Sequence, residues 1–241
     1  MTVSFEVVED PARAAAAMML SAALGGGEIV LAGGSTPKAA YGQFVSAIRE
    51  VGFDPSQTRF WLGDERCVAR GDKLSNFEMI EESLLEPMAD IAEPICQRIK
   101  GELGPEKAAD DYERQLREAG PPKFDLVLLG IGPDGHTASL FPDQQSLSER
   151  SRLVVGVPEA GLEPFVPRVT LTLPALAAAR EVVFLVSGSS KADAIAAAFG
   201  PGSEPNPHVP SSMLVPEAER ITVLMDSDAA VRIDVESGRA R

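Results

Sequence analysis

The sequence is poor in the residues that many functions need. It has two cysteines and two histidines among 241 residues, one tryptophan and two tyrosines. Cys67 and Cys96 stand alone, with no Cys-x-x-Cys pair, so a structural zinc site lacks ligands, and two free thiols fit a reducing cytoplasm. No run approaches the roughly 18 consecutive apolar residues of a membrane helix. Basic residues are also scarce: 22 Lys and Arg stand against 36 Asp and Glu, a formal net charge of −14. Such a field repels nucleic-acid phosphates and anionic lipid, so neither nucleic acid nor a membrane is an expected partner. An anionic ligand could bind only where the few cations are gathered. The Ala-rich run 14–24 follows Glu6, Glu9 and Asp10 rather than a basic leader, and is expected to be an amphipathic helix rather than a signal.

What is present is 44% hydrophobic residues with only 5% aromatics, a balance that suits an α/β interior filled by Val, Leu, Ile and Ala. The length favours one domain over residues 1–241. Strands are expected at 3–8, 28–31, 59–62, 124–129, 153–157, 169–173, 182–186 and 221–225, and helices at 11–24, 38–51, 76–85, 105–119 and 189–199. In the helix 105–119, Tyr112, Leu116 and Ala119 mark one face of ordinary scaffold. Residues 200–212 carry Pro201, Pro205, Pro207 and Pro210, too many for a helix or central strand, and are expected to form a surface loop. Alternating strands and helices predict an open, mostly parallel sheet covered on both faces, with ligands beyond the carboxyl ends of its strands.

Five loops at such ends carry chemistry. Gly33-Gly34-Ser35-Thr36-Pro37 joins a strand to a helix, and with Pro37 at the first helical position its free amides would face an anion such as phosphate. Gly130 to Pro142 contains Gly-x-Gly-x-x-Gly, yet Pro142 stops the helix that a dinucleotide site requires. Within it, His136 on a glycine-flanked loop is suited to take and return a proton near neutral pH. Asp134 either orients that histidine or only stabilises the turn. Gly63-Asp64-Glu65-Arg66 places charges at a strand end as solvated turn residues or as ligand contacts. Arg168 opens a Thr-rich strand and Lys191 opens a helix, so with Arg66 they are cations near strand ends in an acidic chain. No Gly-x-Ser-x-Gly elbow surrounds Ser139, which argues against a serine nucleophile.

Gly-Gly-Ser-Thr-Pro at 33–37, Trp-Leu-Gly-Asp-Glu-Arg at 61–66, Gly-Ile-Gly-Pro-Asp-Gly-His-Thr-Ala-Ser-Leu-Phe-Pro at 130–142, Arg-Val-Thr-Leu-Thr at 168–172 and Gly-Ser-Ser-Lys at 188–191 together resemble the 6-phosphogluconolactonases, in family order. The resemblance implies a Rossmann-like three-layer α/β/α sandwich with a mostly parallel sheet. It also implies hydrolysis of a phosphosugar lactone, 6-phospho-D-glucono-1,5-lactone, in the oxidative pentose phosphate pathway, with no metal and no coenzyme. His136 would be the acid/base, with Asp134 and Asp64 lining the site. Gly33, Gly34, Ser35, Thr36, Arg66, Arg168 and Lys191 would hold phosphate or lactone oxygens. The related glucosamine-6-phosphate deaminases place a glutamate where Phe141 stands and tend to carry an aromatic residue where Arg66 stands, so a deaminase-like isomerase is the alternative, beside a non-enzymatic sugar-phosphate sensor. His208 matches no family role. A monomer or weak homodimer is expected.

Overall fold

The computed structural model describes residues 2–120, 123–234 and 239–240. In chain order its elements are β1 (Thr2–Val7), α1 (Pro11–Ala23), β2 (Glu28–Leu31), α2 (Ser35–Val51), β3 (Arg59–Leu62), β4 (Asp64–Arg66), α3 (Asn76–Ile80), α4 (Glu86–Met88), β5 (Ile95–Gln97), α5 (Pro105–Ala119), β6 (Leu126–Leu129), β7 (Val154–Val157), β8 (Arg168–Leu171), α6 (Leu173–Ala177), β9 (Val182–Val186), α7 (Ala192–Phe199), β10 (Arg220–Met225), β11 (Ile233–Asp234) and β12 (Arg239–Ala240). The main sheet runs β1-β10-β9-β6-β2-β3-β5, and every pairing in it is parallel. Every residue of the central strands β6 and β9 is buried, as continuous apolar runs require when helices cover both faces.

Local signals explain the helices. Asp10 caps α1 by accepting the Arg13 amide at 3.0 Å, and Pro11 follows at the first helical position. Ala12, Ala15, Ala16, Met19 and Ala23 form the buried stripe, whose small side chains let α1 lie close against α2. Gly52, with φ of 65°, ends α2 in the left-handed conformation. The expected helix 76–85 is broken: residues 81–85 form a π turn before α4. Pro87 in α4 has no amide with which to continue the α ladder, and the turn absorbs the loss.

From β2 the chain steps outward through α2 to β3, whereas from β6 it steps the other way to β9. With right-handed crossovers these connections lie on opposite faces. The packing agrees, for α2 meets α1, α3 and α4, while α5 meets β7 and β8. The neighbours β2 and β6 therefore diverge at their carboxyl ends, and a crevice opens between them.

The structure refines three expectations. The charged segment 64–66, open between solvated turn residues and ligand contacts, forms β4, which pairs antiparallel with β8 in a separate sheet ordered β4-β8-β7. Three residues paired only at long range leave no periodic signal. Helix α2 begins at Ser35, not at Pro37, because Gly34 at φ 111° turns the chain sharply and the missing proline amide costs nothing within a first turn. Residues 201–205 are exposed as expected, but Pro210, Ser211 and Ser212 are buried in a 3-10 turn against the loop of His136. Among the described residues no helix is long and apolar enough to cross a membrane.

Candidate active site

A cleft of about 340 Å³ occupies the crevice between β2 and β6. Its floor is the strand ends: Ala32, Leu128, Leu129, Leu185 and Val186. Gly33, Gly34, Ser35, Thr36, Asp64, Arg66, His136, Arg168 and Lys191 all line it, gathered from the ends of β2, β3, β6 and β9 and from the small sheet. Asp134 is not among the lining residues; it stands behind His136.

The His136 loop is pinned from several directions. Its Nδ1 lies 2.6 Å from Asp134 Oδ1. An ionised carboxylate only accepts, so Nδ1 carries the hydrogen and Nε2 keeps the free lone pair. Gly132 must lack a side chain, because a Cβ there would overlap the imidazole. The Phe141 ring packs on the imidazole at 4.9 Å between centroids, within a small apolar group of Val157, Ala160 and Leu162. Ser211 donates both its amide, at 3.0 Å, and its hydroxyl, at 2.7 Å, to the Gly135 carbonyl. The exposed His208 pairs with Asp143 at 2.8 Å, outside the residues that line the cleft.

Asp64 serves the loop rather than the imidazole. Its Oδ2 accepts the Ser139 hydroxyl at 2.6 Å and its Oδ1 accepts Asn76 Nδ2 at 3.1 Å. Ser139 is fully buried and its hydroxyl donates to Asp64 rather than to a histidine, so it is not arranged as a nucleophile. Glu65 accepts the amides of Arg66, Asn76 and Phe77 and the Ser75 hydroxyl, all between 2.7 and 2.9 Å, which ties β4 to the start of α3. Burial pushes its carboxyl up, and those four bonds oppose the shift.

The cations are arranged unlike those elsewhere on the chain. Arg66 and Arg168 are direct partners across the β4–β8 ladder, where like charges repel. Arg168 is 4% exposed, and among the described residues its guanidinium donates to the carbonyls of Val166, at 3.1 Å, and Pro164, at 2.8 Å. Burial lowers its pKa below the arginine norm, and the Arg66 charge adds to the shift. Arg66 donates to the Leu74 carbonyl at 2.6 Å, while its buried Nε has no partner among the described residues. Lys191 is half-buried, and burial lowers it below the ordinary lysine value with Asp134 opposing. Among the described residues none of these three makes an ion pair, although lysines and arginines such as Lys38, Arg49, Arg117 and Arg152 do. At the other wall, Gly34 leaves the start of α2 without a side-chain cap, so its first amides remain free for an anion.

The residues missed from sequence are those that reach the cleft by packing. Asn76 lies so close to Gly33 that a Cβ on the glycine would overlap its amide, and Leu162 and Glu163 enter from the loop before β8. Nothing local marks them. Among the described residues no group of three or more His, Cys, Asp and Glu side chains could hold a metal ion.

The fold and cleft define a class: a parallel α/β protein with a cation-lined crevice at its topological switch point and a histidine–carboxylate pair beside it. The family model described as glucosamine-6-phosphate isomerases/6-phosphogluconolactonase matches residues 5–223. The chain belongs to that family. It is 37% identical to the 6-phosphogluconolactonase of Homo sapiens over 206 residues, 83% of this chain and 78% of that one. It is 38% identical to that of Synechocystis sp. over 203 residues, 81% and 80% of the two chains. The solved 6-phosphogluconolactonase of Trypanosoma cruzi superposes with a TM-score of 0.81 at 28% identity, covering 97% of each chain.

Proposed function

We propose that this chain hydrolyses 6-phospho-D-glucono-1,5-lactone to 6-phospho-D-gluconate in the oxidative pentose phosphate pathway, with His136 moving the proton. The observation that carries the reading is one juxtaposition. A histidine held at Nδ1 by Asp134 stands at a cleft with three cations that among the described residues make no ion pair. Family membership and the named relatives support the same substrate.

The free amides and hydroxyls of Ser35 and Thr36 act with Arg66, Arg168 and Lys191 to hold the phosphate and the lactone oxygens, and Gly33 and Gly34 let the ligand come close to the backbone. Neutral His136 takes a proton at Nε2 from a water as that water attacks C1. Asp134 stabilises the imidazolium that results, which then protonates the departing ring oxygen. Phe141 closes the side of the imidazole where the related deaminases carry a glutamate. Asp64 keeps the loop in place through Ser139 and Asn76. The acidic surface and the two unpaired thiols are consistent with a single-domain cytoplasmic enzyme, monomeric or weakly dimeric, that does not bind nucleic acid.

The test is a lactonase assay on freshly generated substrate run beside ammonia release from glucosamine 6-phosphate. Acceleration of the first alone is expected; ammonia release, or no acceleration over spontaneous opening, sinks the reading. A pH series adds a signature. Lys191 sits below the usual lysine value, so its charge is lost earlier as pH rises. KM is therefore expected to climb in the alkaline range, and a Lys191→Met variant is expected to have a higher KM at neutral pH and to lose that climb. An identical KM–pH profile in both proteins would remove Lys191 from ligand binding.

A further inference from the structure

The chain has two tyrosines, and both are fully buried. Their hydroxyls do the same thing at two places. Tyr41 on α2 accepts the Ala32 amide at 2.9 Å and donates to the Ala32 carbonyl at 2.7 Å. Tyr112 on α5 accepts the Leu62 amide at 2.7 Å, and its hydroxyl has the Leu62 carbonyl as acceptor at 3.1 Å, with the Gln97 carbonyl at 3.4 Å.

Ala32 lies one residue beyond the last β2–β3 pair, Leu31 with Leu62, and two beyond the last β2–β6 pair, Val30 with Val127. Leu62 lies one beyond the last β3–β5 pair, Trp61 with Gln97. At both places a strand has outrun a neighbour, and a buried amide and carbonyl are left without a ladder partner on that side. A hydroxyl both donates and accepts, so one tyrosine satisfies both groups. Burial pushes both phenols well above the usual tyrosine value, so each remains a donor.

What departs from these two residues is the ligand-facing backbone. Gly33 to Thr36 follows Ala32, and Gly63, Asp64 and Arg66 follow Leu62. Tyr41 stands nine residues after Ala32 on the helix that the Gly33–Thr36 loop enters, so its hydroxyl closes that loop like a clasp. Tyr112 reaches Leu62 from the opposite face of the sheet.

We propose that Tyr41 and Tyr112 are positioning residues of the lactone site, each fixing the strand-end backbone from which a ligand-contacting loop departs. The assignment rests on the lactonase reading above. It predicts that Tyr41→Phe raises KM for the phosphorylated lactone about tenfold with kcat little changed, because the anion loop loses its clasp. Tyr112→Phe is expected to lower kcat/KM about tenfold, since Asp64 behind the His136 loop and Arg66 both follow Leu62. Thr222→Val is the control; it removes a buried hydroxyl bonded to Glu181 at 2.8 Å near the amino end of β10 and is expected to leave KM and kcat unchanged.

A merely structural role predicts lower melting temperatures with unaltered constants, and that result overturns the assignment. A second measurement needs no variant. In the unmutated chain, 6-phosphogluconate is expected to slow hydrogen exchange at the Ala32 and Leu62 amides and not at Thr222; no slowing at the two strand ends also overturns it. If the unmutated chain fails to open the lactone, the functional reading has failed instead, and the two failures are distinguishable.

Discussion

His136→Ala is expected to lower kcat by about 10²- to 10⁴-fold, the range that a positioned general acid–base supplies. KM should change little, because the cations, not the imidazole, carry the ligand's charge. The fold should survive as well. His136 sits on a loop held by other bonds: Thr137 Oγ1 to the Gly130 carbonyl at 2.9 Å, Ser139 to Asp64, and Ser211 to Gly135. The lactone opens in water unaided, so the comparison must be made after subtracting the spontaneous rate at each pH. A folded His136→Ala protein with the unmutated rate would take the histidine out of the reaction. Asp134→Ala is expected to cost less, about 10- to 10²-fold, because the imidazole keeps its lone pair but loses the carboxylate that sets its tautomer.

Arg168→Met is expected to raise KM by about thirtyfold or more, corresponding to roughly 2 kcal/mol or more for a desolvated charge contact. The same change is expected to alter stability far less. Arg168 is buried opposite Arg66 and among the described residues makes no ion pair, so the folded state gains little from its charge. What Met removes is the pair of bonds to Pro164 and Val166, at about 1 kcal/mol each. It also removes the cross-strand repulsion. The melting temperature is therefore expected to move by only a few degrees, as at a site that gives up stability for ligand recognition. Unchanged affinity for 6-phosphogluconate in Arg168→Met would contradict the binding role. A collapse in melting temperature would instead assign Arg168 to the scaffold.

The strands β2, β3 and β9 and the helix α5 were legible to the residue, because a continuous apolar run or a 3.6-residue stripe is a local property of the chain. The segments 124–129 and 169–173 were placed with blurred ends. Phe124 is buried against Trp61, with centroids 6.4 Å apart, but joins no ladder, and Leu173 opens α6 under a Thr172 cap. β4 and β5, three residues each, went unread because neither is long enough to show a period, and the pairing partner of β4 is about a hundred residues away.

The division is clearest at the cleft. The groups able to do the chemistry are readable along the chain: one histidine on a glycine loop, a glycine entry to a helix, and a few cations near strand ends in an acidic chain. Those depend on residue type and short spacing. Folding reveals which carboxylate serves the histidine, that Arg66 faces Arg168, and that the two tyrosines hold the strand ends. Arg66 pairs with Arg168 across the small sheet and Tyr112 meets Leu62 from another element, while Asp134 is told from Asp64 only because Ser139 and Asn76 occupy Asp64. The reason is geometric: hydrogen bonds reach about 3 Å, and which groups come that close across 50 or 100 residues depends on how the strands are ordered.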